Sequence, residues 1–368
     1  MGLALIAVIA LAGCERLFAV SGLPIDSGDD GHRDVSPLEP DGPPGCITVG
    51  MNGSGQGTLA AHGFYQRCLL DSGKQLTLTG PLSTNGSMCD STTIDSSVCA
   101  VVASEIDIEG PVVVTGPLPL VLVATRVINV SGSLSLSSSP SSTGAGADWA
   151  ACDTLPLAGS ANGGGGAGGT LDPSFPGGYG GASQNAGVPP RSPTTPYVSL
   201  HGGCQGGTDS SAALSPTDSG GAVYLMAPTI SVTGAIEANG ADGAGGSSGA
   251  GGGYGGGSGG MIVLDAATIA PGGGMFRALG GGGGGGGSLN GGGVMGSGGS
   301  GGAGGDATAG YGGNGYAMPN QAFSGGNGVL SPQTVPGGGG GGVGGAGGIL
   351  LFTMEPATGG SFDPPATL

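Results

Sequence analysis

Apolar and polar residues alternate strictly in several short stretches of this chain. Leu76-Thr-Leu-Thr-Gly80-Pro-Leu82 is one, and Ile106-Asp-Ile-Glu-Gly110-Pro-Val112 is a second. Ile128-Asn-Val-Ser-Gly132-Ser-Leu134 and Ile230-Ser-Val-Thr-Gly234-Ala-Ile236 follow. A looser copy runs from Ile269 to Met275. Period-two alternation is the signature of a strand with one buried face. The central glycine suits a bend between two short strands. Each copy therefore predicts a strand, a bend and a second strand.

A longer unit also recurs. Gly220-Gly-Ala-Val-Tyr-Leu-Met-Ala-Pro-Thr-Ile230 matches Gly259-Gly-Met-Ile-Val-Leu-Asp-Ala-Ala-Thr-Ile269, and its start returns at Gly347–Phe352. Such self-similarity predicts units that bury their apolar faces only by stacking on one another. The second and third short copies lie 22 residues apart, about one coil of a parallel solenoid. The remaining spacing is filled by glycine tracts at 243–260, 280–305 and 337–348. Two readings of these tracts are open. They are flexible loops, or they are extended polyproline-II strands whose bare backbones pack and bond to each other. Tyr179, Tyr254, Tyr311 and Tyr316 lie in such tracts and are placed to cap or stack on them.

Composition narrows the choice. Of 368 residues, 92 are glycine and 26 proline. Glycine costs about 1 kcal/mol per helical position relative to alanine, which excludes a helical bundle. Collagen is excluded because no Gly-X-Y period exists. Seven Lys and Arg against 24 Asp and Glu give a net charge of −17, which argues against nucleic-acid binding.

The N-terminus reads as an address. Leu3–Ala12 is apolar throughout, too short to span a bilayer and the right length for a signal-peptide core. It runs into Leu11-Ala-Gly-Cys14, which resembles the bacterial lipobox, although Met1-Gly2 supplies no basic residue ahead of it. The resemblance implies lipidation of Cys14 and a mature chain starting there. Glu15 follows in place of the aspartate associated with inner-membrane retention, so an outer-membrane or surface position is expected, with plain secretion as the alternative. Residues 15–45 carry seven acidic residues, two basic residues and five prolines, and read as a disordered tether.

Cysteine usage agrees with export. Setting Cys14 aside leaves Cys46, Cys68, Cys89, Cys99, Cys152 and Cys204, an even set suited to an oxidising compartment. Proximity in sequence favours the pairs 46–68, 89–99 and 152–204. Candidate chemistry is thin. Glu105, Asp107 and Glu109 alternate with two isoleucines, so successive acids share a face about 7 Å apart. That spacing could serve glycoside hydrolysis or calcium binding, but isoleucines inward and acids in water explain it more simply. Gly301–Ala309 resembles one calcium-binding nonapeptide of the RTX type, without the tandem copies such sites need. His201-Gly-Gly-Cys204 lacks further ligands at zinc spacing. His32 and His62 read as ordinary loop residues. No catalytic, cofactor or metal residue is assigned.

The run Gly220–Gly240, with glycine-rich filler and another Gly-Gly-plus-apolar strand after it, resembles glycine-rich surface or secreted proteins of bacteria. The mycobacterial PGRS proteins are of this kind. The likeness covers about residues 70–356. It implies a right-handed parallel β-helix and a cell-surface context, and carries over no catalytic residue. The expected layout is a signal peptide at 1–14, the tether at 15–45, an all-β, irregular parallel β-helix over 46–158, its glycine-rich continuation over 159–360, and a tail at 361–368. The expected role is a lipid-anchored, non-enzymatic structural or adhesive envelope protein, meeting the membrane through its lipid and a surface glycan or protein beyond it. The alternative is a β-helix protein that binds or cleaves polysaccharide.

Overall fold

The computed structural model describes residues 73–85, 88–89, 97–152, 200–208, 215–249, 251–296, 304, 339–342, 344–353 and 357–367, with the backbone of two short strands at 46–48 and 68–70. All belong to the compact unit Gly42–Leu368. The two short strands, β1 (Cys46–Thr48) and β2 (Cys68–Leu70), pair antiparallel.

The other named strands pair only in parallel. After β3 (Gln75–Leu78) and β4 (Leu82–Ser83) come β5 (Cys99–Ile108) and β6 (Pro111–Thr115), then β7 (Leu120–Val130) and β8 (Ser133–Ser135). Next are β9 (Ala222–Met226), β10 (Thr229–Val232) and β11 (Ala235–Glu237), followed by β12 (Met261–Ala266), β13 (Thr268–Ala270) and β14 (Met275–Arg277). The last are β15 (Gly348–Thr353) and β16 (Ser361–Asp363). Strands β3, β5, β7, β9, β10, β12, β13 and β15 form one eight-stranded sheet. The others form a six-stranded sheet in the order β16-β14-β11-β8-β6-β4. Each pass of the chain runs through the first sheet, turns, and enters the second.

The alternating pattern sets the register. Leu76, Ile106, Ile128, Ile230 and Ile269 are successive partners across the first sheet. Val112, Leu134, Ile236, Phe276 and Phe362 are partners across the second. The first copy is offset, with Leu82 opposite Val114, and the looser copy needs one residue more, so that Phe276 takes the rung. These side chains form one buried core between the two sheets, and Phe276 stacks on Phe362 with ring centroids 4.6 Å apart. The N-terminal halves of the long strands are buried on their other face as well. There Val121, Val123, Ala222, Tyr224, Met261 and Val263 make a second cluster.

The glycine of each bend stacks on its counterpart. The Gly132 amide donates to the Ile108 carbonyl at 2.8 Å, and the Gly234 amide to Val130 at 3.0 Å. A Cβ on Gly132 would meet the Gly110 oxygen at 2.4 Å, and one on Gly234 the Gly132 oxygen at 1.7 Å. Only glycine fits bends stacked this closely.

Most described residues of the glycine tracts at 251–260, 280–288 and 339–348 are buried, and these segments bond to each other. Amides of Gly253, Gly256 and Gly259 donate to carbonyls of Gly339, Gly342 and Gly345 at 2.8–2.9 Å. Those of Gly281, Gly284 and Gly287 donate to Gly257, Tyr254 and Gly251. Gly341, Gly344 and Gly347 in turn donate to Gly284, Gly281 and Ala278. A donor every third residue is the period of a polyproline-II helix. The described parts of these tracts form a layer of backbone held by backbone.

The expectation of a right-handed parallel β-helix is corrected by this arrangement. The described strands make two open parallel sheets and do not close into a solenoid. Glycine has no side chain to pack on a pleated surface, and the described parts of the glycine-rich segments returning from the second sheet to the first form no named strands of their own. A parallel sheet buried on both faces is the habit of α/β folds. Here the only helical element among the described residues is the 3₁₀ turn Ala150–Cys152, and no described helix is long and apolar enough to cross a membrane.

Candidate functional site

A groove of about 630 Å³ opens where the second sheet gives way to the glycine layer. Four separate stretches line it: 139–143, 215–218, 241–244 and Met295. The first stretch is a tight turn in which Ser139 and Ser142 exchange backbone hydrogen bonds at 2.8 and 3.2 Å. It is anchored from behind by Ser138, whose hydroxyl accepts from the Gly144 amide at 2.8 Å and whose amide donates to Asn239 at 2.9 Å. The second stretch is pinned by a bridge between Thr217 and Gly206. The third belongs to the glycine layer.

Two aspartates, Asp218 and Asp242, are among the residues lining this groove. The Ala241 amide donates to the Asp218 carbonyl at 2.9 Å, which brings Asp242 next to Asp218 along the wall. The Thr143 hydroxyl donates to Asp218 Oδ2. Asp242 Oδ1 accepts the Gly282 amide at 2.7 Å, so this side chain is fixed to the layer. Serine hydroxyls from both loops complete the polar lining, and Pro140, Pro216, Ala244 and Met295 supply apolar surface. Concave sites of roughly 300–1,000 Å³ with a few placed polar groups are the usual form of ligand sites.

A buried polar cluster lies next to it in sequence and space. Asp148 sits at φ 62°, a left-handed conformation that Asp tolerates better than most residues. Its Oδ1 accepts the Ser219 amide at 2.9 Å and the Ser219 hydroxyl at 3.1 Å, while its own amide donates to Ser219 Oγ at 2.8 Å. Burial pushes the Asp148 carboxyl up to about 6, and the nearby Asp218 charge adds to the rise. Hydrogen bonds from Ser219 and Gln205 act the other way. Trp149 stacks on His201 with centroids 3.7 Å apart and planes 11° apart. His201 Nδ1 donates to the Gly202 carbonyl at 2.7 Å, and Nε2 is buried without a hydrogen-bond partner. Burial holds this imidazole below its ordinary pKa, against the opposing pull of the Gly202 bond.

The residues singled out from sequence are scattered. Glu105 and Asp107 lie on β5, both half-buried, and Glu109 is exposed in the following bend. Asp107 Oδ1 accepts from Asn129 at 2.8 Å and Oδ2 from Gln75 at 3.0 Å, so its carboxylate ties three neighbouring strands together. Disulfides join Cys89 to Cys99 and Cys152 to Cys204. The second spans 52 residues and closes the Trp149–His201 stack into one knot. The side chains of Cys46 and Cys68 lie outside the described residues. So do Cys14, the tether, His32, His62, Tyr179, Tyr311, Tyr316 and all of Gly301–Ala309 except Gly304. Tyr254 is buried inside the glycine layer. Among the described residues no group of three or more His, Cys, Asp or Glu is placed to hold a metal ion.

Sequence reasoning missed Asp148, Asp218 and Asp242. The only local signal was the pair of hydroxyl-rich runs Ser137–Thr143 and Ser215–Ser219. The chain matches no family model, no curated protein and no solved structure. The likeness to glycine-rich surface proteins therefore rests on the residues quoted for it.

Proposed function

We propose that this protein is exported, held at the cell envelope by a lipid on Cys14, and serves there as a non-enzymatic adhesive scaffold. The observation that carries the adhesive part is the groove. Its mixture of hydroxyls, carboxylates and small apolar faces is the chemistry that recognises a polyhydroxylated chain. Sugar hydroxyls exchange hydrogen bonds with Ser and Asp, and sugar C–H faces lie on Pro and Met. The rigid layer behind the groove keeps such a site in shape before a ligand arrives, which lowers the ordering cost of binding.

A panel of polysaccharides tests this, read both for binding and for new reducing ends. Binding without new ends is the expected result. Absence of binding to any glycan would overturn the adhesive reading. The anchor has its own test: Cys14→Ser should release the protein from the membrane fraction, and retention would refute lipidation there.

Cleavage is the second reading, and Asp148 favours it. A carboxyl raised to about 6 beside a second carboxylate resembles the acid of a glycosidase. Asp148 does not line the groove, however, and its Oδ1 is committed to Ser219. Binding without turnover is therefore the better reading. New reducing ends that vanish in Asp148→Asn would reverse that preference.

A further inference from the structure

Asn239-Gly240 and Asn290-Gly291 both lie within the described residues, in opposite settings. We infer that Asn290 is a site of spontaneous covalent modification, at which the Gly291 backbone nitrogen displaces the side-chain amide as ammonia, and that the glycine layer shields Asn239 from the same reaction. The Gly291 nitrogen attacks Asn290 Cγ, and a bond forms between them as the Cγ–Nδ2 bond breaks. The proton of the attacking amide leaves with Nδ2, so ammonia departs and a cyclic imide remains. Water then opens the imide. Breaking the new N–Cγ bond gives aspartate. Breaking the bond from the same nitrogen to the main-chain carbonyl carbon of residue 290 gives isoaspartate. Nothing is oxidised or reduced, and water is the only co-reactant.

Asn290 sits at the exposed tip of the turn closed by Ser288 and Gly291, where water reaches it freely. Its side chain has no hydrogen-bond partner among the described residues, which leaves Cγ free to turn toward the next nitrogen. Gly291 has no Cβ to obstruct that approach, and its amide is bonded to Ser288 Oγ at 3.0 Å, a hydroxyl that rotates about a single bond. Asn239 is half-buried and held on every side. Its Oδ1 accepts the Leu279 amide at 2.9 Å, and its own amide donates to Ser137 Oγ at 3.0 Å. The Gly240 amide donates to the Leu279 carbonyl at 2.8 Å. Carboxamide and attacking nitrogen are thus both tied to Leu279. A Cβ on Gly240 would stand 2.2 Å from the Gly257 oxygen, so the backbone has no room to swing into an imide. Reaction there must wait for the layer to open locally. At the tip, aspartate adds a negative charge next to exposed Leu289. Isoaspartate also lengthens the backbone inside a turn in which the Ser288 amide donates to the Gly291 carbonyl at 2.7 Å. The limb returning from this turn carries Met295, which lines the groove.

The test ages the full chain, purified in detergent, in a mildly alkaline buffer, where the attacking amide loses its proton more readily. Peptide mapping by mass spectrometry follows residues 290 and 239 in the same sample, and an isoaspartyl methyltransferase reports the rearranged product. Asn290 should convert at least about tenfold faster than Asn239, because Asn239 must first lose its hydrogen bonds to Leu279. In denaturant the two pairs should convert at similar rates, since each is then a plain Asn-Gly pair. Asn290→Gln, which would have to close a larger and less favourable ring, should remove the signal at that position and leave the thermal transition where it was. Equal rates at the two sites in the folded protein would overturn the inference. So would an Asn290 that stays intact while folded and reacts only in denaturant, because the tip would then be held as firmly as the layer. A gap between the sites that persists in denaturant would trace the difference to local sequence and overturn the shielding role of the layer.

Discussion

The two sides of this molecule solve the same problem with opposite means. Between the sheets, stability comes from side chains: Ile106, Ile128, Ile230, Leu134, Ile236 and Phe276 stack rung on rung and are fully buried. In the glycine layer there are almost no side chains to bury. Stability there comes from backbones close enough to bond every third residue, as Gly253, Gly256 and Gly259 do. The difference lies in what each side tolerates. A sheet core absorbs a lost methyl group by leaving a cavity. A layer of touching backbones has no room for an added one.

The largest effect that separates the two sides should follow from Gly284→Ala. The new Cβ would stand 1.8 Å from the Ala244 carbonyl oxygen, and backbone cannot swing away as a side chain does. We expect loss of cooperative folding, more than about 4–5 kcal/mol, seen as a lost thermal transition. A soluble, normally melting Gly284→Ala protein would show that the layer is not packed as described. Ile128→Ala, in the middle of the isoleucine ladder, should cost less, about 2–5 kcal/mol, and chemical denaturation should still give one transition at lower denaturant.

Asp148→Asn sharpens the comparison at the seam between the two sides. A carboxyl whose folded pKa is raised to about 6 from 3.8 stabilises the fold below pH 3.8. That contribution is lost as the pH rises through about 6, because the unfolded chain ionises first. Asparagine keeps an acceptor for Ser219, carries no charge and suits a positive φ. The variant should therefore be more stable at pH 7.5 by about 1–3 kcal/mol and indistinguishable from the parent near pH 3.5. His201 runs the other way. Its depressed pKa means stability held above 6.5 and lost as the pH falls below it. Melting curves from pH 3.5 to 8 on both proteins check the sign. An Asp148→Asn protein that is less stable at pH 7.5 would refute the assignment of cause.

The smallest effect should come from Gly80→Ala. Gly80 occupies the same bend as Gly132 and Gly234, but at the start of the ladder, where a Cβ meets nothing within 4 Å. The change should be neutral or stabilising by under about 1 kcal/mol. Gly132→Ala, two rungs on, should be severely destabilising because the Gly110 oxygen lies 2.4 Å from the new atom. Equal melting temperatures for the two variants would break the account of why these glycines are present.

Much of the strand side was legible. Alternation and the central glycine placed Ile106, Ile128 and Ile230 on one ladder, and proximity alone paired Cys89 with Cys99 and Cys152 with Cys204. The glycine layer was not legible in the same way. Glycine carries no pattern that distinguishes a loop from a packed strand, so the tracts were open to both readings, and the β-helix expected from the likeness was the wrong closure. The groove was hidden for another reason. Its lining comes from stretches around 140, 217, 242 and 295, and no local run of residues contains the site. Asp148 was hidden as well, since its raised pKa depends on burial under a chain 71 residues away in sequence.

By itself, then, the sequence determined the local conformations: period two for strands and a glycine wherever bends stack. These follow from chemistry within a few residues. The tertiary structure decided the rest. Whether bare backbone would be solvated or buried depended on other glycine segments arriving at bonding distance. Whether Asp218 and Asp242 would line one groove depended on which chain segments the layer brought together. Both are long-range outcomes, fixed by packing rather than by any residue's own preference.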